Sequence, residues 1–238
     1  MHAIETLLFD FGGTLDSDGV AWKERFHALY RVEGLELSVE AFAPAFYAAD
    51  DALVGALAPS TDLKETVGAL AANLETELAR RGVGTGHGEI DAARGQRVAL
   101  RFLTEMSAAF ARNRPVLEAL SERYRLGVVS NFYGNLEATC ESSGLAPLFG
   151  VMTDSQRVGA EKPDPAIFQA ALAALLAAPE TTVMVGDSLR RDCEGARRSG
   201  MGFIWVAPKD VQAAERGSAD WSVLAAVTEF PDLLDILI

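Results

Sequence analysis

Short apolar runs alternate along most of this chain with longer stretches whose apolar residues recur every three or four positions. The runs are Thr6–Phe9, Leu126–Ser130, Gly150–Thr153, Thr182–Val185 and Phe203–Val206. Each has the length and continuity of a strand buried on both faces. Pro115–Arg123, Asn135–Ser143, Pro165–Ala177 and Arg190–Ser199 carry helical periodicity. Strands alternating with helices at this spacing predict an α/β fold built on a doubly wound (Rossmann-like) parallel sheet. Ligands of such sheets bind beyond the carboxyl ends of the strands. Asp10, Ser130 and Asp187 fall at or just past such ends.

The pattern changes between the first run and the second. Trp22–Val32, Val39–Leu57, Leu63–Arg80 and Ala92–Ala111 are helical in period, and no strand pattern interrupts them. An all-helical insert over 17–113 is expected, set into an α/β core made of 1–16 and 114–238, with linkers near Asp16–Val20 and Arg112–Pro115. The glycine-rich Gly82–Gly88 follows no apolar strand, so it reads as a flexible connection rather than a phosphate loop.

Charge narrows the function classes. The 238 residues include Lys+Arg 21 against Asp+Glu 34, a net −13. Such a field repels nucleic-acid backbones and anionic bilayers, so neither is an expected partner. A small anionic substrate is compatible with a locally positive pocket. Cys140 and Cys193 have no metal-ligand spacing, and nothing in the chain calls for a disulfide. The N-terminus shows no basic segment followed by an apolar run, and no uncharged apolar stretch reaches the roughly 18 residues of a membrane span. The expectation is a soluble, cytoplasmic protein whose oligomeric state the sequence leaves open.

Four motifs carry the chemistry: Leu8-Phe9-Asp10-Phe11-Gly12-Gly13-Thr14-Leu15; Val128-Val129-Ser130-Asn131; Glu161-Lys162-Pro163-Asp164-Pro165; and Val185-Gly186-Asp187-Ser188-Leu189-Arg190-Arg191-Asp192. In this order and spacing the chain resembles the haloacid dehalogenase-like (HAD) superfamily, most of whose members are magnesium-dependent phosphohydrolases. The resemblance covers the first strand and roughly Pro115–Val206, and it implies that the helical insert is a cap over the strand ends.

A strand-end carboxylate beside a glycine turn can attack phosphorus and form an aspartyl-phosphate; the resemblance casts Asp10 in that role. It further implies Mg²⁺ held by Asp10, the Gly12 carbonyl and Asp187, with Asp192 in the inner or outer shell. Few protein carboxylates around a hard cation is the usual Mg²⁺ arrangement. Ser130, Asn131 and Thr14 would hydrogen-bond phosphoryl oxygens, and Lys162 would face the nucleophile and phosphate. Standing alone, each has a plainer reading: Asp10 as a turn residue, Ser130-Asn131 as a helix cap, Lys162 as a solvated lysine.

One position departs from the superfamily. Its phosphatases carry Asp-x-Asp-Gly-Thr, the second Asp serving as general acid/base; here that position is Gly12. A general acid contributes about 10²–10⁴-fold, so alkyl phosphates should suffer while acyl and aryl phosphates, whose leaving groups are weak bases, should not. Either the substrate has a good leaving group, or another residue (Asp16, Asp18, Glu24 and His27 are nearest) supplies the proton, or the protein binds a phospho-ligand without turnover. A metal-independent 2-haloacid dehalogenase is a further alternative, set against by the intact Asp187/Asp192 pattern. The leading expectation is a Mg²⁺-dependent phosphatase-type hydrolase acting on a small phosphorylated metabolite.

Overall fold

The computed structural model describes residues 3–83, 89–215 and 221–238. Most of the Gly82–Gly88 connection, from residue 84 onward, lies outside the described residues.

Strand β1 (Thr6–Phe9) is buried along its whole length. A wide helical turn at Phe11–Leu15 follows it, and then come helices α1 (Trp22–Val32), α2 (Val39–Asp51), α3 (Leu63–Arg80) and α4 (Ala92–Ser121). The remaining elements are β2 (Arg125–Ser130), α5 (Leu136–Ser142), β3 (Val151–Asp154), α6 (Ser155–Val158), α7 (Pro165–Leu175), β4 (Thr182–Gly186), α8 (Glu194–Arg198), β5 (Gly202–Val206), α9 (Lys209–Glu215), β6 (Ala225–Val227) and α10 (Leu233–Leu237). The sheet order is β3-β2-β1-β4-β5-β6, every pairing parallel.

The expected α/β fold with its doubly wound, Rossmann-like sheet is therefore observed. Alternation along β1 divides the core between two faces: Leu7 and Phe9 pack with Val116, Leu117, Leu136 and Leu233, while Leu8 packs with Ile167, Phe168 and Ala196. The sheet also has a sixth strand, β6, whose Ala225 pairs with Ile204. Three residues of Ala-Ala-Val carry too little apolar pattern to announce a strand; only β5's open edge recruits them.

Register places the site. Phe9 lies opposite Val128 of β2 on one side and Val185 of β4 on the other, so the carboxyl ends of the three strands lie side by side. The Asp10 N–H donates to the Val185 carbonyl at 3.0 Å, extending the pairing by one residue.

The helical segment differs from expectation at its exit. The sequence suggests a break at Arg112–Pro115, yet α4 runs through it as one helix of 30 residues. Pro115 forfeits a backbone hydrogen bond, normally costing about 3 kcal/mol or more. Tertiary contacts outweigh that loss: Phe110, Asn113, Val116 and Leu117 are buried, the Asn113 amide donates to the Leu15 carbonyl at 3.0 Å, and the Arg112 fork grips Asp18 with two 2.7 Å bonds. The α2 helix is shorter than its periodicity implies, ending at Asp51 and giving way to turns. Helix α3 starts where an Asp62/Glu65 capping box satisfies its first amides. Phe26, Phe42, Phe46, Leu70 and Phe102 form the shared interior of α1–α4.

Candidate active site

Asp10 stands at the end of the central strand with its carboxylate almost buried. Its Oδ1 accepts from Ser130 Oγ at 2.8 Å and pairs with Lys162 Nζ at 2.7 Å. The lysine comes from the loop before α7 and also pairs with Asp192 Oδ1 at 2.6 Å. The second oxygen of Asp192 accepts from the Ser188 amide at 3.0 Å. Asp187, just past β4, has its backbone carbonyl held by Trp205 Nε1 at 2.9 Å, and its carboxylate faces Thr14 Oγ1 at 3.4 Å. The Asn131 side-chain amide brackets the Lys162 backbone, accepting from N at 2.7 Å and donating to O at 3.2 Å. Its visible work is to position the lysine. Thr14 likewise turns its hydroxyl to Asp187.

The turn that carries these groups needs glycine at residue 13. Gly13 has φ +94°, where a side chain is strained, and a Cβ there would fall 2.7 Å from Asp187 Oδ2. The turn is that tight because the first strand's end and Asp187 converge.

Carboxylate oxygens of Asp10, Asp187 and Asp192 lie within 4.8 Å of one another, with Lys162 the one cation paired to them among the described residues. Burial, and then the charges of Asp10 and Asp192, push the Asp187 carboxyl well above the usual range. Asp192 is pushed up to about 6 by burial, against the pull of Lys162. Burial works against the Lys162 ammonium, but Asp10 and Asp192 outweigh it and hold its pKa above the ordinary value. Three carboxylates and one ammonium leave an excess of negative charge in a poorly solvated place. Hard oxygen donors carrying that excess fit a divalent cation such as Mg²⁺.

A cavity of about 730 Å³ opens over the strand ends, walled by Trp22, Lys23, Phe46, Tyr47 and Asp50 from α1 and α2 and by Phe132 and Tyr133 from the loop after β2. Tyr133 OH donates to Asp50 Oδ1 across it. The aromatic wall and the Tyr133–Asp50 bridge escape sequence reasoning, since they join residues far apart in the chain, 83 positions in the bridge. The nearest substitutes for the general acid are otherwise engaged. Asp16 is buried and holds Gly13 N, Trp22 Nε1 and Arg25 Nη1 at 2.6, 2.8 and 2.7 Å. Asp18 is gripped by Arg112; Glu24 pairs with Lys23 at 3.0 Å; the His27 ring bonds to the Leu37 carbonyl.

The space beside Gly12 is taken by Trp22. A Cβ at residue 12 would meet the indole Nε1 at 3.1 Å, and its three nearest neighbours are all indole atoms. Gly12→Asp alone is therefore expected to fall short of installing an acid. Alkyl phosphate turnover should rise at least about tenfold more in Gly12→Asp/Trp22→Ala than in either single variant, checked by initial rates on a sugar phosphate; an equal gain in the single variant would show that the indole yields.

Both cysteines are free and buried. No helix among the described residues is long and apolar enough to cross a membrane.

Residues 4–200 match the haloacid dehalogenase-like hydrolase family. Among curated relatives, the chain is 36% identical over 126 residues to phosphoserine phosphatase of Thermus thermophilus, covering 46% of this chain and 51% of that protein. It is 31% identical over 151 residues to glyceraldehyde 3-phosphate phosphatase of Methanothermobacter thermautotrophicus, covering 58% of this chain and 66% of that one. The chain thus spans about half to two thirds of the length of these two relatives. A solved dehalogenase with an intermediate complex shares the fold at TM-score 0.64 and 16% identity, over 100% of this chain and 98% of that one. A HAD phosphatase from Thermococcus onnurineus does so at 0.53 and 22%, over 98% of both. At those identities the structural likeness speaks for the fold alone. The family match spans the strand-end carboxylates, the lysine facing them and the helices that wall the cavity, and with it the chain belongs to the haloacid dehalogenase-like hydrolases.

Proposed function

We propose that this protein is a Mg²⁺-dependent phosphatase-type hydrolase acting on a small soluble phosphate ester or anhydride through an aspartyl-phosphate at Asp10. The observation that carries the reading is the Asp10 carboxylate: Oδ1 is held by Ser130 and Lys162, while Oδ2 accepts no hydrogen bond from a described residue. That leaves an oriented oxygen with free lone pairs at the floor of the cavity.

In the proposed reaction Asp10 attacks phosphorus, the bond from phosphorus to the leaving oxygen breaks, and the leaving group departs with its electron pair. Water then attacks the phosphorus of the aspartyl-phosphate, phosphate leaves, the Asp10 carboxylate is restored, and the water proton passes to solvent. Lys162 and Ser130 neutralise and orient the phosphoryl oxygens, which is most of what phosphoryl transfer requires of a protein. Asn131 sets the lysine, and Asp192 holds it from behind. Asp10, Asp187 and the Gly12 carbonyl would hold Mg²⁺, which supplies further charge neutralisation when bound. The helices of 17–113 act as a cap that excludes water. The two curated relatives described above are phosphatases by name.

The test is phosphate release from acetyl phosphate and p-nitrophenyl phosphate with Mg²⁺. Chelation is expected to lower it by at least roughly tenfold, with recovery on adding Mg²⁺. Unchanged turnover in chelator would remove the metal from the reading. Tight phosphate-ester binding without release would favour a phospho-ligand-binding protein, for which Gly12 is the sequence argument. Halide release from a 2-haloacid would favour a dehalogenase.

A further inference from the structure

Gly12 has φ −79° and ψ 119°, a conformation open to any residue, so the backbone does not call for glycine there. The indole of Trp22 crowds a side chain there: a Cβ would sit 3.1 Å from its Nε1, so the ring would have to give by a few tenths of an ångström. That indole is fixed from several directions. Its N–H is committed to Asp16 Oδ2 at 2.8 Å, and its ring meets Phe102 and Phe132 edge-on at 5.3 and 6.1 Å between centroids. Phe132 in turn packs on Tyr133 at 4.8 Å, and Tyr47 continues the wall on the cap side. Beside the nucleophile, at the place of a side chain on residue 12, the protein presents an aromatic edge whose one polar group already has a partner.

From this we propose that the substrate is an aryl phosphate, a monoester of a phenol-type hydroxyl, whose ring lies against the wall formed by Trp22, Phe132, Tyr133 and Tyr47. The inference rests on the phosphatase reading and narrows it. Two observations converge on it. An aromatic wall favours a flat apolar leaving group through ring–ring contact. A phenolate, whose conjugate acid has a pKa of about 10, is a far weaker base than an alkoxide, so its departure depends less on an acid at residue 12, whereas an alkoxide would forgo about 10²–10⁴-fold of rate. Trp22 is thus the specificity-determining residue: it takes the acid's space and supplies the surface that selects substrates that depend less on an acid.

Four substrates separate ring from leaving ability: phenyl and p-nitrophenyl phosphate (ring, phenolate leaving groups far less basic than an alkoxide), benzyl phosphate (ring, strongly basic alkoxide leaving group) and acetyl phosphate (no ring, carboxylate leaving group). Each is assayed with the Mg²⁺-loaded protein, Asp10→Asn serving as the blank. The phenyl esters are expected to turn over. Benzyl phosphate should inhibit competitively, with KI within about threefold of the phenyl phosphate KM, while turning over at least about 10²-fold more slowly. Acetyl phosphate should show a KM about three- to tenfold above phenyl phosphate. In Trp22→Leu, with folding checked by circular dichroism and melting, the ratio of phenyl to acetyl phosphate kcat/KM should fall about tenfold. Benzyl phosphate turned over within tenfold of phenyl phosphate would overturn the inference by revealing a proton donor, Asp50 first among the cavity's carboxyls. An acetyl phosphate KM at or below that of phenyl phosphate, or an unchanged ratio in folded Trp22→Leu, would overturn it by showing that the wall reads nothing. Should Trp22→Leu not fold, the wild-type panel decides. No Asp10-dependent release from any of the four defeats the phosphatase reading itself, and this inference with it.

Discussion

Asp10→Asn is expected to lower phosphate release by about 10³-fold or more, roughly 4 kcal/mol of barrier at 1.36 kcal/mol per decade. The amide keeps the size and shape of the carboxylate and can still accept from Ser130, but it is too weak a nucleophile to form the acyl phosphate. The fold should not suffer. Lys162 keeps Asp192 at 2.6 Å, and one of three crowded carboxylate charges is gone. The melting temperature should therefore stay level or rise, which separates lost chemistry from lost structure. Phosphate release above a tenth of wild type, under the same Mg²⁺, would take the nucleophile's role from Asp10.

The second large effect is on stability. Asp16→Asn is expected to cost about 3 kcal/mol in urea unfolding, because Asp16 accepts through both oxygens, from the Gly13 N–H on one and from Trp22 and Arg25 on the other, and an amide turns an N–H₂ donor against one of those donor sets. Arg25 and Asp16 meet at 2.7 Å, and both are buried; the remaining acidic partner of Arg25, Glu105, is 3.4 Å away and half exposed. Replacing the pair together, Asp16→Asn with Arg25→Met, should cost less than the sum of the single changes, since buried pairs contribute little net while broken ones cost much. Acidity supplies an independent check. Burial raises the Asp16 carboxyl above the ordinary carboxylate value, with the Arg25 charge pulling the other way. A raised folded pKa means the native state binds that proton more tightly than the unfolded chain, so the group's contribution is full below the unfolded pKa and is lost as pH rises through the folded one. Arg25→Met removes the opposing charge and raises the folded pKa further. Its cost should be smaller at pH 5 than at pH 8, and equal costs at the two would refute the account. Because Asp16 also anchors Trp22, these variants are expected to loosen the aromatic wall as well.

Which groups gather at the strand ends was legible in the chain because each motif is local. Asp10 follows a four-residue apolar run, Ser130 and Asp187 end others, and Lys162 opens the frame before α7. Once such runs form a parallel sheet with β1 between β2 and β4, register alone puts their final residues side by side. Periodicity misled at Pro115, where a local rule says stop. The helix continues because the packing of Phe110, Asn113 and Val116 outweighs one missing hydrogen bond. Trp22 shares the buried face of α1 with Phe26 and Leu29, a stripe at helical spacing. Nothing local tells that its indole faces Gly12 rather than the helical interior alone.

The sequence by itself determined the fold class, the helical insert and the identity of the groups around Asp10, since apolar period and strand-end motifs are properties of neighbouring residues. Tertiary structure alone decided that α4 is continuous, that β6 extends the sheet at its edge, that Asn131 serves Lys162, and that Trp22 fills the space at Gly12. Each of those depends on how side chains distant in sequence share one volume or one hydrogen-bond partner. Such outcomes are settled by packing and desolvation of the whole molecule, and no local pattern encodes them.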